Sequence, residues 1–212
     1  MKLMIEFEKL PILGIIRGIK PPEVEPLVEA VVESGLKTIE ITMNTDRAQS
    51  LIKSAVKAAS GRLVIGAGTV LTKDDLNKAL DSGARFIVSP VVIDGVLNYC
   101  LKKSIPVFPG AFSPAEVYRA WSLGAYMVKV FPAKFFGPDY FKELKGPFAD
   151  VKLLACGGVN KNNLADFFSN GASAVSFGAS IFRREWLSTK KFSLIRDSIK
   201  ELISAYKQRR QR

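Results

Sequence analysis

Lys129 is the one charge inside the run AYMVKV (125–130), a segment otherwise suited to a buried strand. Burying an unpaired ammonium costs on the order of several kcal/mol, so a lysine there calls for a reason. Two more charges sit in similar settings, Glu40 within TIEIT and Arg17 at the end of ILGIIR. A free lysine amine adds to a ketone and loses water to give a Schiff base, and an apolar pocket beside a second cation favours the free amine. Arg17 would supply that cation and hold a substrate carboxylate. Glu40, an acid in mid-strand, is the candidate general acid/base. The alternative is a structural ion pair of Lys129 with Glu40, joined by Arg17, to which desolvation would leave little net stabilisation.

The chain has no histidine. That excludes Ser–His and Cys–His nucleophile pairs and His-ligated metal sites, and leaves lysine, carboxylates, hydroxyls, cysteine and backbone groups to do any chemistry. Two cysteines, Cys100 and Cys156, make no disulfide framework and fit a reducing cytoplasm. Lys and Arg total 31 against 20 acids, a net charge of +11, which suits small anionic substrates as well as nucleic acid or lipid. No nucleic-acid-binding motif accompanies the charge, and the basic tail at 207–212 reads as a solvated terminus. Glu6 and Glu8 interrupt any leader-like apolar run, and no stretch of about 18 apolar residues marks a membrane span. The expectation is a cytoplasmic protein with neither nucleic-acid nor membrane partner.

Positioning these side chains falls to short β-branched runs at 12–17, 38–43, 63–69, 86–90, 107–111, 126–131, 152–156 and 174–177. Amphipathic segments of helical period separate them. After the first strand the apolar positions are Val24, Leu27, Val28, Val31 and Val32; a final helix carries Phe192, Ile195, Ile199, Leu202, Ile203 and Tyr206. The phrases ESGLKTIEI, DSGARFIVS, SLGAYMVKV and SNGASAVSF repeat a helix end, a glycine and a strand. Gly35, Gly83, Gly124 and Gly171 suit the left-handed position that closes a helix. A two-unit period repeated four times predicts a (β/α)8 TIM barrel, one domain spanning 1–212; an open doubly wound sheet would carry no such repeat.

In that barrel, strand C-terminal ends and the loops after them build the site. Alternation places Lys129 with Met127 and Phe131 on the inner face, Glu40 with Thr38 and Thr42, Arg17 with Leu13 and Ile15, and Thr69 with Ala67. The loops after strands seven and eight are the usual phosphate position of the fold, and here they hold Gly157, Gly158, Gly178, Ala179 and Ser180. Small residues let backbone N–H groups approach an anion closely.

RGI (17–19), IEIT (39–42), IGAGTV (65–70), VSP (88–90), PG (109–110), VKVFPA (128–133), FGP (136–138) and GGV (157–159) occur in that order. Along essentially the whole chain this resembles the 2-keto-3-deoxy-6-phosphogluconate/4-hydroxy-2-oxoglutarate aldolases, metal-independent class I aldolases that are generally homotrimers. The resemblance implies that Lys129 forms the Schiff base with pyruvate, that Glu40 is the acid/base, and that no cofactor is needed. It implies that Arg17 and Thr69 bind the pyruvate carboxylate while Pro90 and Phe131 shape the pocket. The implied substrates are phosphorylated 2-keto-3-deoxy acids. Gluconate-specific members usually carry Thr before the GG pair and Arg after the strand-two glutamate; Cys156 and Asn44 stand there instead, and RGI, Asn44 and FGPDYFKEL are closer to the 6-phosphogalactonate branch. Two other readings use the same residues: an epimerase or isomerase with Glu40 and Lys129 as a non-covalent acid–base pair, and a non-catalytic anion-binding scaffold.

Overall fold

Pro109 has no N–H to donate, and the fifth extended run breaks there into two short pieces, Val107–Phe108 and Gly110–Ala111. The first piece pairs with the strand before it and the second with the strand after it. The computed structural model, which describes residues 4–209, closes its sheet through this one residue. Counting the two pieces as β5, the strands are β1 (Ile12–Ile16), β2 (Thr38–Thr42), β3 (Val64–Gly68), β4 (Ile87–Val88), β5, β6 (Val128–Val130), β7 (Leu153–Cys156) and β8 (Ala174–Phe177). All pairings are parallel, and β1 pairs with both β2 and β8. All eight predicted strands are present, most of them a residue or more shorter than expected. The molecule is an α/β barrel of the TIM type.

Its helices are α1 (Ile5–Lys9), α2 (Pro21–Ser34), α3 (Ala48–Ala59), α4 (Lys73–Asp81), α5 (Asp94–Lys102), α6 (Pro114–Ser122), α7 (Asp139–Lys145), α8 (Leu164–Ser169), α9 (Arg184–Ser188) and α10 (Phe192–Gln208). Local chemistry starts several of them. Thr72 Oγ1 accepts from the Asp75 N–H at the start of α4, and Ser113 does the same for Glu116 at α6, where Pro114 occupies the first turn. Gly35, Gly83, Gly124 and Gly171 all take positive φ, between 88° and 98°, as the repeat predicted. The final predicted helix is α10; it buries Ile195, Ile199, Leu202, Ile203 and Tyr206. The basic stretch at 207–212 runs from the end of α10 into residues outside those described.

The core divides by strand parity. Ile39, Ile41, Ile65, Ile87, Val128, Val130, Leu153 and Val175 point outward and pack with the helices. A second cluster, with Leu13, Phe86, Val88, Phe108, Met127, Leu154 and Ala174, fills the N-terminal half of the barrel lumen. Helix α1 seals that end: Phe7 is 1% exposed and meets Phe108 edge-to-face at 5.7 Å. Nothing in the sequence pattern singled out this five-residue plug. One parity expectation is corrected as well. Ala67 belongs to the outer cluster, so Gly66 and Gly68 are the inward residues of β3. Thr69 takes φ +53° just beyond the strand, which ends the alternation before it reaches that residue.

Candidate active site

At the C-terminal end of the lumen the inner face turns polar. Glu40 and Thr42 on β2 are fully buried, as is Thr38 one layer below them at the level of Leu13, and Lys129 on β6 is 6% exposed, the one buried lysine among the described residues. Cys156 and Ser176 stand at matching register on β7 and β8, both buried. Ser176 Oγ donates to the Ala155 carbonyl at 3.1 Å. Lys129 Nζ lies 5.2 Å from the Phe131 ring centroid, where the negative ring face favours a cation.

Glu40 is the most exceptional group in the molecule. Neither carboxylate oxygen has a hydrogen-bond partner among the described residues, and no side-chain ion pair forms between Glu40 and Lys129. The structural pairing considered from sequence is therefore not made. Burial raises the Glu40 carboxyl above its ordinary value of 4.5, and the charges of Lys129 and Arg17 oppose that rise without cancelling it. Burial also pushes the Cys156 thiol up, against the pull of Lys129 and Ser176. Glu40 needs space as well as burial. A Cβ on Gly68 would overlap the Glu40 carboxylate, and one on Gly66 would overlap the Phe86 ring. Both glycines make room inside the lumen.

Above this centre opens a cavity of about 630 Å³. Arg17, Phe131, Cys156, Gly157, Gly158, Gly178 and Ser180 line it, so seven of the residues expected at the site converge there. Lys134 and Ser176 join them; inward parity on β8 could have revealed Ser176. Thr69, Pro90 and Asn44 stand outside that lining, on the loops after β3, β4 and β2, and so do the more deeply buried Lys129 and Glu40. The Pro90 carbonyl approaches Gly110 so closely that a Cβ there would overlap it. Gly157 and Gly158 have φ of +99° and +83°, a conformation that side chains disfavour. Among the described residues, the backbone N–H groups of Gly157, Gly158, Gly178, Ala179 and Ser180 have no internal acceptor. Such a concave array of donors beside Lys134 and Arg17 suits a phosphate or carboxylate.

No group of three or more His, Cys, Asp or Glu side chains among the described residues is arranged to hold a metal ion. No helix among them is long and apolar enough to cross a membrane.

Residues 4–197 match the family model of the KDPG and KHG aldolases. The chain is 36% identical over 174 residues to a probable 2-dehydro-3-deoxy-6-phosphogalactonate aldolase of Rhizobium meliloti, covering 82% of each protein. Among solved structures it resembles native KDPGal at 30% identity and a TM-score of 0.89, over 96% of this chain and 98% of that one. It also resembles the KDPG aldolase of Legionella pneumophila, captured at low pH with pyruvate as a covalent carbinolamine, at 27% identity and a TM-score of 0.87 over 95% and 98% of the two chains.

Proposed function

Because the chain belongs to the KDPG and KHG aldolase family, we propose that Lys129 is the nucleophile of a Schiff-base lyase. The substrate is 2-keto-3-deoxy-6-phosphogalactonate or its gluconate epimer, and the products are pyruvate and glyceraldehyde 3-phosphate. The observation that carries the residue assignment is the lone buried lysine among the described residues, on an inner barrel face that also holds a buried carboxylate without a partner among them.

The Lys129 amine adds to the C2 ketone to form a carbinolamine. Glu40, kept protonated more readily by burial, supplies through a water molecule the proton with which hydroxide leaves, giving the iminium. Glu40 as carboxylate then takes the C4 hydroxyl proton, again through water. The O–H electrons become the aldehyde C=O, the C3–C4 bond breaks, and its electron pair passes into the iminium to give an enamine. Protonation at C3 and addition of water release pyruvate and regenerate the amine. Arg17 and Thr69 hold the substrate carboxylate, and Pro90 and Phe131 shape the pyruvate end. The N–H array of Gly157, Gly158 and Gly178 with Ser180 receives the phosphate. Asn44 and Cys156, standing where the gluconate-specific pattern has Arg and Thr, set the preference at the substrate hydroxyls, and the galactonate-type relatives support that branch.

We place the enzyme in the cytoplasm as one domain over 1–212, assembled as a homotrimer. An exposed aromatic cluster supports a covered face: Phe135 and Phe136 are 68% and 53% exposed, and Phe136 stacks on Phe112 at 4.9 Å.

Borohydride reduction in the presence of pyruvate tests the assignment. A stable adduct should appear on the peptide containing Lys129. A folded, active protein without that adduct would return the site to non-covalent acid–base chemistry.

A further inference from the structure

Asn163 occupies the position before the first turn of α8, where an asparagine ordinarily accepts from backbone N–H groups of that turn. Here it makes no such cap. Its side chain turns back onto the preceding loop instead. Asn163 Nδ2 donates to the Gly158 carbonyl at 3.0 Å, and Asn163 Oδ1 accepts from the Asn160 N–H at 2.8 Å. The Asn160 side chain adds a longer donation to the same carbonyl, 3.4 Å, and accepts from the Asn162 N–H at 2.9 Å. One amide therefore bridges both ends of the 158–160 turn and leaves the helix end without its usual side-chain cap.

The bonded carbonyl belongs to the residue whose N–H is part of the donor array. Gly158 and Asn160 line the cavity, whereas Asn163 lies behind them, outside its lining. A carbonyl tied to Asn163 is drawn away from the space an anion would occupy. Across the same planar peptide the Val159 N–H points the opposite way, and Val159 lines the cavity; holding this peptide also steadies Gly158, whose own N–H belongs to the array. Left untied, a glycine pair with φ of +99° and +83° has other conformations open to it, some of which would turn an oxygen toward the anion. Space on the other side is limited, because a Cβ on Gly158 would overlap Lys134. Fixing donors before the ligand arrives reduces the ordering cost of binding.

We propose that Asn163 is a positioning residue for the phosphate loop, acting on substrate affinity through the orientation of the Gly158–Val159 peptide. The inference rests on the phosphate reading given above.

Asn163→Asp tests it, since the variant keeps the acceptor for the Asn160 N–H and replaces the donor to Gly158 with a carboxylate oxygen. KM for the phosphorylated substrate should rise roughly five- to ten-fold, about the worth of one oriented hydrogen bond. The inhibition constant for inorganic phosphate should rise in parallel, with kcat near wild type. Half-saturation of borohydride trapping by pyruvate, which carries no phosphate, should stay unchanged and also reports that the variant is folded. Asn163→Ala serves as the second variant if the aspartate is not tolerated. An unchanged KM, or an equal loss for pyruvate trapping, overturns the positioning role while leaving the phosphate site standing. Wild-type enzyme that inorganic phosphate fails to inhibit competitively would overturn the phosphate reading itself, and this inference with it.

Discussion

The two halves of the barrel lumen are built by the same strands and differ by a step of two residues. Leu13 becomes Arg17 after two such steps on β1; Met127 becomes Lys129, Leu154 becomes Cys156, and Ala174 becomes Ser176 after one. In the N-terminal half, Phe7, Phe86 and Phe108 pack edge-to-face at 5.7 Å, and the buried Thr38 hydroxyl, level with Leu13, donates to the Ile12 carbonyl at 2.9 Å. In the C-terminal half the side chains are shorter or charged, three glycines stand where side chains would overlap their neighbours, and both Glu40 oxygens are unpartnered. Each buried phenylalanine contributes about 1.5–3 kcal/mol of transfer free energy, whereas an unpartnered buried carboxylate subtracts from stability. One end of the lumen holds the barrel together and the other uses part of that stability for reactivity.

The largest expected effect is at Glu40. Glu40→Gln removes the proposed acid/base and should lower kcat roughly 10²- to 10⁴-fold, while making the protein more stable at neutral pH. The sign follows from linkage. Burial raises the folded-state value of the Glu40 carboxyl above 4.5, so the folded protein binds its proton more tightly than the unfolded chain does. The contribution of Glu40 to stability is fully present below the unfolded value and is lost as pH rises through the folded one. Urea denaturation at about pH 4 and about pH 8 should therefore show the variant's advantage over wild type growing with pH. An advantage that shrinks with pH would mean Glu40 has a cationic partner in solution, and the contrast between the two halves would fail.

Phe108→Ala probes the other half. Phe108 is fully buried and contacts Phe7, Phe86 and Tyr126, so truncation should cost about 3–5 kcal/mol, read from denaturant midpoints. Activity per folded molecule should stay within about two-fold of wild type, because the cavity opens two residues below the reacting groups. A matching loss of kcat in the folded fraction would show that the plug also positions Lys129.

The contrast was partly legible beforehand. Charges at Arg17, Glu40 and Lys129 stand out against large aliphatic neighbours, so period-two alternation gave their direction correctly. The fourfold glycine repeat gave the barrel, because each glycine answers a helix end that needs positive φ. On β3 the method had nothing to grip. IGAGT contains almost no contrast in size or polarity, and Thr69 leaves extended geometry, so Ala67 was assigned inward when it faces the helices. The uses of Gly68 and Asn163 depend on the Glu40 side chain and the Gly158 carbonyl, and no local pattern encodes partners brought there by the fold. Helix α1 is five residues long, too short to display a period.

The smallest expected effect lies on the rim, where stability and function meet. Gly18, next to Arg17, is held from two sides: its N–H donates to Thr45 Oγ1 at 3.0 Å and its carbonyl accepts from Arg184 Nη1 at 2.6 Å. Thr45 Oγ1 is also 3.0 Å from Thr42 Oγ1, so the loops after β1 and β2 share one hydroxyl. The buried Glu23 carboxylate accepts from the Lys20 N–H at 2.8 Å and lies 3.6 Å from Arg184, which ties the same loop to α9. Thr45→Val keeps the volume and removes the acceptor, leaving the Gly18 N–H without a partner. The cost should be about 1–3 kcal/mol of stability, with a roughly three-fold rise in the pyruvate concentration that half-saturates borohydride trapping as Arg17 loosens, and little change in kcat. A stability loss with unchanged half-saturation would class this rim with the aromatic plug. The reverse result would extend the reactive half outward to the loops that orient Arg17.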